Sequence, residues 1–331
     1  MARPEGYLEG DYLRTEEGLY FAVKGFRHPE GRVVAYLRYV PDPSGERVKD
    51  GCRYRRVYDL DETTKYLRET YPQYVGYVDF LGLEAQSVPV ENVFQIYRPD
   101  KYLREIAKDP RTPLERLAAR FVSKLEAESR VSLGSMGVSG SQLIGLATIA
   151  SDLDLIVYGD EGRRVHEALS HLRETGGEVM GYDDSSVMKV VSSRWGDTGI
   201  ELKRFVGSEK RKLLHGYFGG TEYFIRLVRI PDKAEISSKP VGTVKGEATI
   251  SDDRESIFTP CRYELKEVRI VEPADVRGVT ELVSYRGKFT EQARKGNRVE
   301  FRGTLEEALY SSGTKFRIVL GGKGDYLLYL L

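Results

Sequence analysis

MGVSGSQLIGLATIASDLDLIVYG, residues 136–159, is the stretch whose residues set up chemistry as well as a core. Val138 leads into Gly140-Ser141, a further glycine follows at Gly145, and Asp152 and Asp154 then alternate with Leu153 and Leu155. The order predicts a turn, a short helix and a strand. Asp152 and Asp154 stand two apart on an extended run, so their side chains leave the same face. Two carboxylates on one face repel each other unless a cation lies between them. With no softer ligand nearby, that cation is expected to be magnesium or manganese, hard ions that share oxygen ligands with phosphates. Gly140 lets the backbone approach a ligand without a Cβ, and Ser141 offers a hydroxyl and an N–H where phosphate is favoured.

The run GSQLIGLATIASDLDL (Gly140–Leu155) resembles the signature of the DNA polymerase beta nucleotidyltransferase superfamily: Gly-Ser, a glycine four residues on, then Ser-Asp-hydrophobic-Asp. Gly140, Ser141, Gly145, Ser151, Asp152 and Asp154 fall at matching positions. The residue after Gly-Ser, basic in the common form, is Gln142, and the approach to Asp152 is unusually apolar. More loosely, the whole chain resembles uncharacterised archaeal predicted nucleotidyltransferases. The resemblance implies two magnesium or manganese ions on Asp152 and Asp154, and an NTP contacted by Gly140, Ser141 and Ser151. The structural alternative is a pair of ordinary aspartates on a half-buried strand.

Outward from this stretch, 331 residues suggest two or three domains. Lys plus Arg and Asp plus Glu number 51 each, so any nucleic-acid surface has to be local. Charged residues make up 31% while asparagine occurs only at Asn92 and Asn297, a pairing that fits adaptation to heat. Cys52 and Cys261 lie in no metal-ligand spacing; buried free thiols are expected. The N-terminus MARPEGYLEGDYL has no apolar signal region, and no apolar run is long enough to cross a membrane. A cytoplasmic protein with no membrane partner is expected.

Residues 1–100 read as a small α+β domain. GLYFAVKGF, RVVAYLRYV and CRYRRVYDL are strand-like, HPEGR is a turn, PDPSGERVKDG is a loop, and DETTKYLRETY reads as a helix with Asp61 at its N-cap. Arg38, Arg53, Arg55 and Arg56 interleave with Tyr36, Tyr39, Tyr54 and Tyr58. They make either a surface on which bases stack and phosphates pair, or a solvated sheet face.

Residues 101–232 are expected to hold the nucleotidyltransferase core, a mixed sheet with helices. TPLERLAARFVSKLEAES has its apolar residues at helical spacing, with Thr112 and Glu115 as a start signal. GDEGRRVHEALSHLRETGG predicts another helix, with His166 and His171 on its solvated face. Two-metal phosphoryl transfer usually uses a third carboxylate on a neighbouring strand. Asp197 falls in the turn WGDTG and Asp183 and Asp184 in the loop GYDDSS, so Glu201, between Ile200 and Leu202, is the choice, on a strand. Lys203 and the basic residues after it would hold triphosphate, unless they are the solvated face of a helix.

Residues 233–331 carry short strand-like segments at regular spacing, the pattern of a small β-barrel or sandwich. Arg286, Lys288, Arg294 and Arg298 lie in its densest basic stretch. They form either a phosphate track for a nucleic acid or part of a bracing β domain. The chain is thus expected to be α+β, with a polymerase-beta-like core flanked by an N-terminal α+β domain and a C-terminal small β-barrel or sandwich. Its expected activity moves an NMP from an NTP to an acceptor hydroxyl, an RNA 3′ end first, through Asp152, Asp154 and Glu201. The alternatives are nucleotidylation of a protein or small molecule, or a nucleic-acid- or nucleotide-binding protein without turnover.

Overall fold

The computed structural model describes residues 3–229, 236–273 and 277–330. Packing divides the chain into two compact units: Met1–Val165 with Thr221–Ile225, and His166–Gly220 with Arg226–Leu331. The sequence boundary at 232/233 lies outside the described residues. Among those residues there are three sheets and seven α-helices, an α+β protein, and no helix is long and apolar enough to cross a membrane.

The first unit opens with β1 (Tyr12–Thr15), β2 (Tyr20–Val23), β3 (Arg32–Pro41), β4 (Arg47–Lys49) and β5 (Cys52–Arg56). Helix α1 (Leu60–Thr70) follows, then β6 (Val75–Val78), β7 (Leu83–Pro89) and β8 (Val93–Tyr97). The strands run in the order β4-β5-β3-β2-β1-β8, with β7 also on β3. Alternation along the strands gives the sheet two apolar faces. Leu13, Phe21, Val23, Ala35 and Leu37 pack with Leu67 and Tyr74 on one side. Tyr12, Tyr20, Ala22, Tyr39 and Tyr54 look to the other. The N-cap of α1 is Asp59, not the expected Asp61: its carboxylate accepts from the Glu62 N–H at 2.9 Å, which leaves Asp61 inside the first turn.

Next come α2 (Pro99–Lys108) and α3 (Pro113–Ser129). As the sequence indicates, α3 begins with a capping box: the Glu115 N–H donates to Thr112 Oγ1 at 3.1 Å and the Thr112 N–H to Glu115 Oε2 at 2.9 Å. Its stripe Ala118, Phe121, Val122 and Leu125 is buried, and Phe121 meets Tyr223 edge-on with ring centroids 5.0 Å apart. In the signature stretch the turn, the short helix α4 (Gly140–Leu143) and the strand β10 (Leu153–Tyr158) form as expected, and a further short strand, β9 (Met136–Val138), leads in. Strand β10 runs antiparallel to β9 with Leu155 opposite Val138.

Helix α5 (Gly162–Glu174) passes into the second unit after Val165. There follow β11 (Val179–Met180), α6 (Asp184–Trp195), α7 (Lys203–Arg211), β12 (His215–Phe218) and β13 (Thr221–Val228). Helix α6 begins inside the loop expected at Asp183 and Asp184 and runs on to Trp195. Four serines interrupt its apolar stripe Val187, Val190, Val191 and Trp195, and Asp183 is its cap, accepting from the N–H groups of Ser185 and Ser186.

The remaining strands are β14 (Ser237–Asp252), β15 (Phe258–Thr259), β16 (Cys261–Glu272), β17 (Val279–Ser284), β18 (Arg298–Tyr310), β19 (Gly313–Val319) and β20 (Tyr326–Tyr329). They run β14-β16-β17-β19-β18, and β14 pairs again with β18. Of barrel and sandwich, the closed ring of five strands is the form found. Sixteen residues let β14 pair on both sides, and closure removes free edges. The barrel interior, with Ile250, Tyr263, Leu282, Phe301 and Ile318, shares one core with Trp195 and Phe205. Cys261 is buried there as a free thiol, whereas Cys52 is free but exposed, because its strand β5 lies near the sheet edge.

Candidate functional site

The turn between β9 and α4 brings the glycine-serine pair onto the second aspartate. The Ser139 N–H donates to the Asp154 backbone carbonyl at 2.8 Å, and Gly140, at φ +65°, lies against the Asp154 carboxylate. A Cβ on Gly140 would overlap Asp154 Oδ2 and stand 2.8 Å from its Cγ, so contact and dihedral both require glycine. Asp152 and Asp154 are both half-buried. Asp152 makes no hydrogen bond or ion pair among the described residues. Ser141 Oγ donates to Ser151 Oγ at 3.1 Å, and Ser151 Oγ also accepts from the Thr148 N–H at 2.9 Å. Ser151 therefore braces the turn around Ser141. Gln142 is only 4% exposed, so its amide fills interior space where the common signature has a cation. Its side-chain atoms reach no partner in hydrogen-bond geometry, although the Tyr102 hydroxyl is close enough to feel them.

The N-terminal sheet holds this segment from its tyrosine face. Leu143, Ile144 and Leu146 pack with Tyr12, Tyr20, Tyr39 and Tyr54. Arg47 Nη1 donates to the Leu146 carbonyl at 2.6 Å and Lys49 Nζ to the Ile144 carbonyl at 2.8 Å. At the other end of the segment, Ser139 Oγ donates to the Gly10 carbonyl at 2.7 Å. Gly10 has φ +96°, and a Cβ there would run into Ile156. Burial raises the Tyr39 phenol; Arg56 and Arg47 pull it back, and Asp154 and Asp152 push it further. The Tyr12 phenol is raised first by burial and then by Tyr39 and Asp154, against Arg38 and Arg56. Tyr12 and Tyr39 are thus neighbours of the aspartate pair that sequence reasoning missed, and Gly10 braces the segment beside it. Nothing local marks them, because only the tertiary packing brings them there.

The remaining expected site residues belong to the second unit. Glu201 lies in the second unit, exposed, in the loop before α7 and not on a strand. The alternation of Ile200, Glu201 and Leu202 that suggested a strand is the approach to a helix. Among the described residues no group of three or more His, Cys, Asp or Glu is arranged to hold a metal. Lys203 is exposed at the start of α7, and Arg204 reaches Glu300 at 3.8 Å. Lys210 pairs with Asp184, and Arg211 Cζ lies 4.8 Å from the Tyr329 ring centroid. Lys212 is fully buried, with Nζ 2.9 Å from Glu209 and 2.5 Å from the Lys288 carbonyl.

Of the four basic residues proposed for nucleic acid, Arg294 and Arg298 are exposed, the latter paired with Glu247 at 2.6 Å. Arg286 donates to the Gly321 carbonyl at 2.7 Å. Lys288 is a correction to the expected phosphate track. Its side chain is 9% exposed, donates to the Arg194 carbonyl at 3.0 Å, and holds its ammonium 4.7 Å from the Trp195 ring centroid. His166 likewise leaves the solvated face: its Nε2 lies 2.8 Å from the buried Glu291. A cleft of about 510 Å³ in the second unit, bordered by Asp197, Lys245, Arg302 and Lys323, contains none of the signature residues.

The chain is similar to an uncharacterized protein of Methanocaldococcus jannaschii, MJ1086, with 29% identity over 328 residues and 94% of each chain covered. The expected resemblance to uncharacterised archaeal proteins is met at that level. No family model matches the chain, and no solved structure matches significantly.

Proposed function

We propose that the protein is a metal-dependent nucleotidyltransferase with a polymerase-beta-like core, acting on an NTP and a nucleic-acid 3′ hydroxyl, with RNA the first choice. The observation that carries this reading is the seating of Gly140 on the Asp154 carboxylate, which puts a Cβ-free turn and a pair of same-face carboxylates in one place. The donor set suits a hard divalent ion: Asp152 and Asp154 offer oxygen only, and Asp152 has no protein partner among the described residues. Magnesium or manganese there would share oxygens with the substrate phosphates and offset charge on the attacking and leaving oxygens.

The chain's own contribution is positioning. Gly140 leaves room for a phosphate to approach the backbone, and Ser151 holds the Ser141 hydroxyl beside it. The acceptor oxygen attacks the α-phosphorus, the Pα–O bond to the β-phosphate breaks, pyrophosphate leaves and the hydroxyl proton passes to solvent. The closed C-terminal barrel supports a nucleic-acid acceptor, because five-stranded barrels are a recurrent platform for oligonucleotides.

One observation favours a second reading, a nucleotide- or nucleic-acid-binding protein without turnover: buried Gln142 follows Gly140-Ser141 where the resemblance implies a basic residue. The deciding experiment incubates the protein at elevated temperature with each α-labelled NTP, Mg²⁺ or Mn²⁺ and total RNA, beside the Asp152→Ala/Asp154→Ala variant. Label in RNA with wild type only supports the transferase. Label in protein or in a small molecule keeps the chemistry and changes the acceptor. NTP binding without transfer in any fraction selects the second reading.

A further inference from the structure

The common signature carries a cation directly after Gly-Ser, and here that place is taken by buried Gln142. The N-terminal sheet has cations of its own on the side that faces the signature. On β5, alternation separates the arginines. Arg53 donates to the Gly45 carbonyl at 3.0 Å and Arg55 pairs with Asp42 at 2.7 Å, while Arg56 shares the face of Tyr54, which packs on the signature segment. Arg56 stands opposite Tyr39 in the β3–β5 register. Arg38 is held alongside, its carbonyl accepting from the Val57 N–H at 2.9 Å. Both guanidiniums approach one ring: Arg56 Cζ is 4.3 Å and Arg38 Cζ 6.0 Å from the centroid of Tyr58, which is 58% exposed.

The decisive feature is an unmet pairing. The buried Tyr39 phenol, opposite Arg56 in the register, feels Arg56 and Arg47 as cations and Asp154 and Asp152 as anions. Yet neither the Arg56 nor the Asp152 side chain makes a hydrogen bond or an ion pair among the described residues; Arg56 has only its contact with the Tyr58 ring. A guanidinium and a carboxylate that both act on one phenol and are both without a side-chain hydrogen bond or ion pair suit a ligand that brings both complements: a polyanion for the guanidinium and a divalent cation for the carboxylate.

We propose that Arg56, assisted by Arg38, binds the polyphosphate of a nucleoside triphosphate across from Asp152 and Asp154, and that Tyr58 is the platform on which its base stacks. The N-terminal sheet thereby supplies the charge that the signature lacks at Gln142. Guanidinium is suited to this task because its planar fork meets phosphate oxygens two at a time. Stacking on a tyrosine face is tolerant of base identity. This inference rests on the nucleotidyltransferase reading and adds residues to its substrate site.

The test is calorimetric titration of the full-length protein with a non-hydrolysable α,β-methylene ATP in Mg²⁺, repeated with inorganic tripolyphosphate as competitor. Arg56→Ala is expected to weaken nucleotide binding at least tenfold and tripolyphosphate binding by a similar factor. Arg56→Lys should recover part of both, and Tyr58→Ala should weaken the nucleotide while sparing tripolyphosphate. Arg53→Ala, on the opposite face, is the control and should match wild type. If Asp152→Asn/Asp154→Asn abolishes Mg²⁺-dependent binding while Arg56→Ala and Arg56→Lys both bind as wild type, the inference is overturned and the transferase reading stands. If the aspartate variant binds as wild type, or wild type binds no nucleotide, both fall. Should Arg56→Ala not fold, Arg56→Lys and Arg56→Gln decide through the same two titrations.

Discussion

Alanine at Gly140 combines two perturbations whose sizes follow from the structure. The residue sits at φ +65°, a conformation that costs an L-residue about 1–2 kcal/mol. The new methyl would also stand 2.8 Å from Asp154 Cγ and 3.0 Å from its Cβ. Restoring ordinary carbon–carbon contact at about 3.5 Å moves the carboxyl carbon by about 0.7 Å and its oxygen by more. The backbone cannot absorb this, because the Ser139 N–H ties the turn to the Asp154 carbonyl at 2.8 Å. The carboxylate itself must therefore rotate, displacing a proposed metal ligand by about 1 Å, and misplacement on that scale costs on the order of 100-fold in rate. The expected phenotype is a folded protein, its Tm lowered by about 4–8 °C for a loss near 2 kcal/mol, with Mn²⁺ affinity and NTP-dependent transfer reduced at least tenfold. Differential scanning calorimetry and Mn²⁺ titration by electron paramagnetic resonance measure the two effects separately. Full Mn²⁺ affinity in a variant that melts as wild type would refute both the steric reasoning and the assignment of Asp154 as a ligand.

Other perturbations test the surrounding fold. Glu209→Ala leaves Lys212 and Arg194 without their shared carboxylate and Trp195 Nε1 without its acceptor; removing one partner of a buried ion cluster costs about 3–5 kcal/mol, so chemical denaturation should show an early transition absent from wild type. Thr112→Ala removes the cap of α3 and should cost about 1 kcal/mol in the same assay. Burial raises Asp11 from 3.8 to about 6 despite Arg3 beside it. Its folded value lies above the unfolded one, so its stabilising contribution is complete below about pH 4 and is lost as pH rises through 6, by roughly 3 kcal/mol at most. Asp11→Asn should flatten that part of the stability profile, and an unchanged slope between pH 4 and 6 would rule out Asp11 as its source.

What the sequence made legible follows from where the forces are local. The capping box of α3, the β9–α4–β10 turn and the barrel strands each depend on periodicity, glycine or side chains within a few residues. Helix α6 escaped notice because serines at Ser185, Ser186, Ser192 and Ser193 blur its apolar stripe, which is buried in a core assembled from distant strands. Glu201 looked like a strand residue because hydrophobic-acid-hydrophobic is equally the pattern of a helix approach. Lys288 looked like a surface cation because its burial depends on Trp195, more than ninety residues earlier in the chain. Within the candidate site, Gly140, Ser141, Asp152 and Asp154 were readable from one segment, whereas Tyr12 and Tyr39 reach it only through the packing of a separate sheet.

Strand β13 gives its first five residues, Thr221–Ile225, to the first unit and the rest to the second. During synthesis, therefore, the unit carrying the aspartate pair is not complete when Val165 leaves the ribosome. The 55 residues from His166 to Gly220 must emerge first, which at about 5–20 residues per second is a delay of roughly 3–11 s. Through that interval the nascent chain holds the Gly-Ser turn and both aspartates in a sheet that lacks a strand, and a release or pause before residue 225 would yield a fragment unable to finish it.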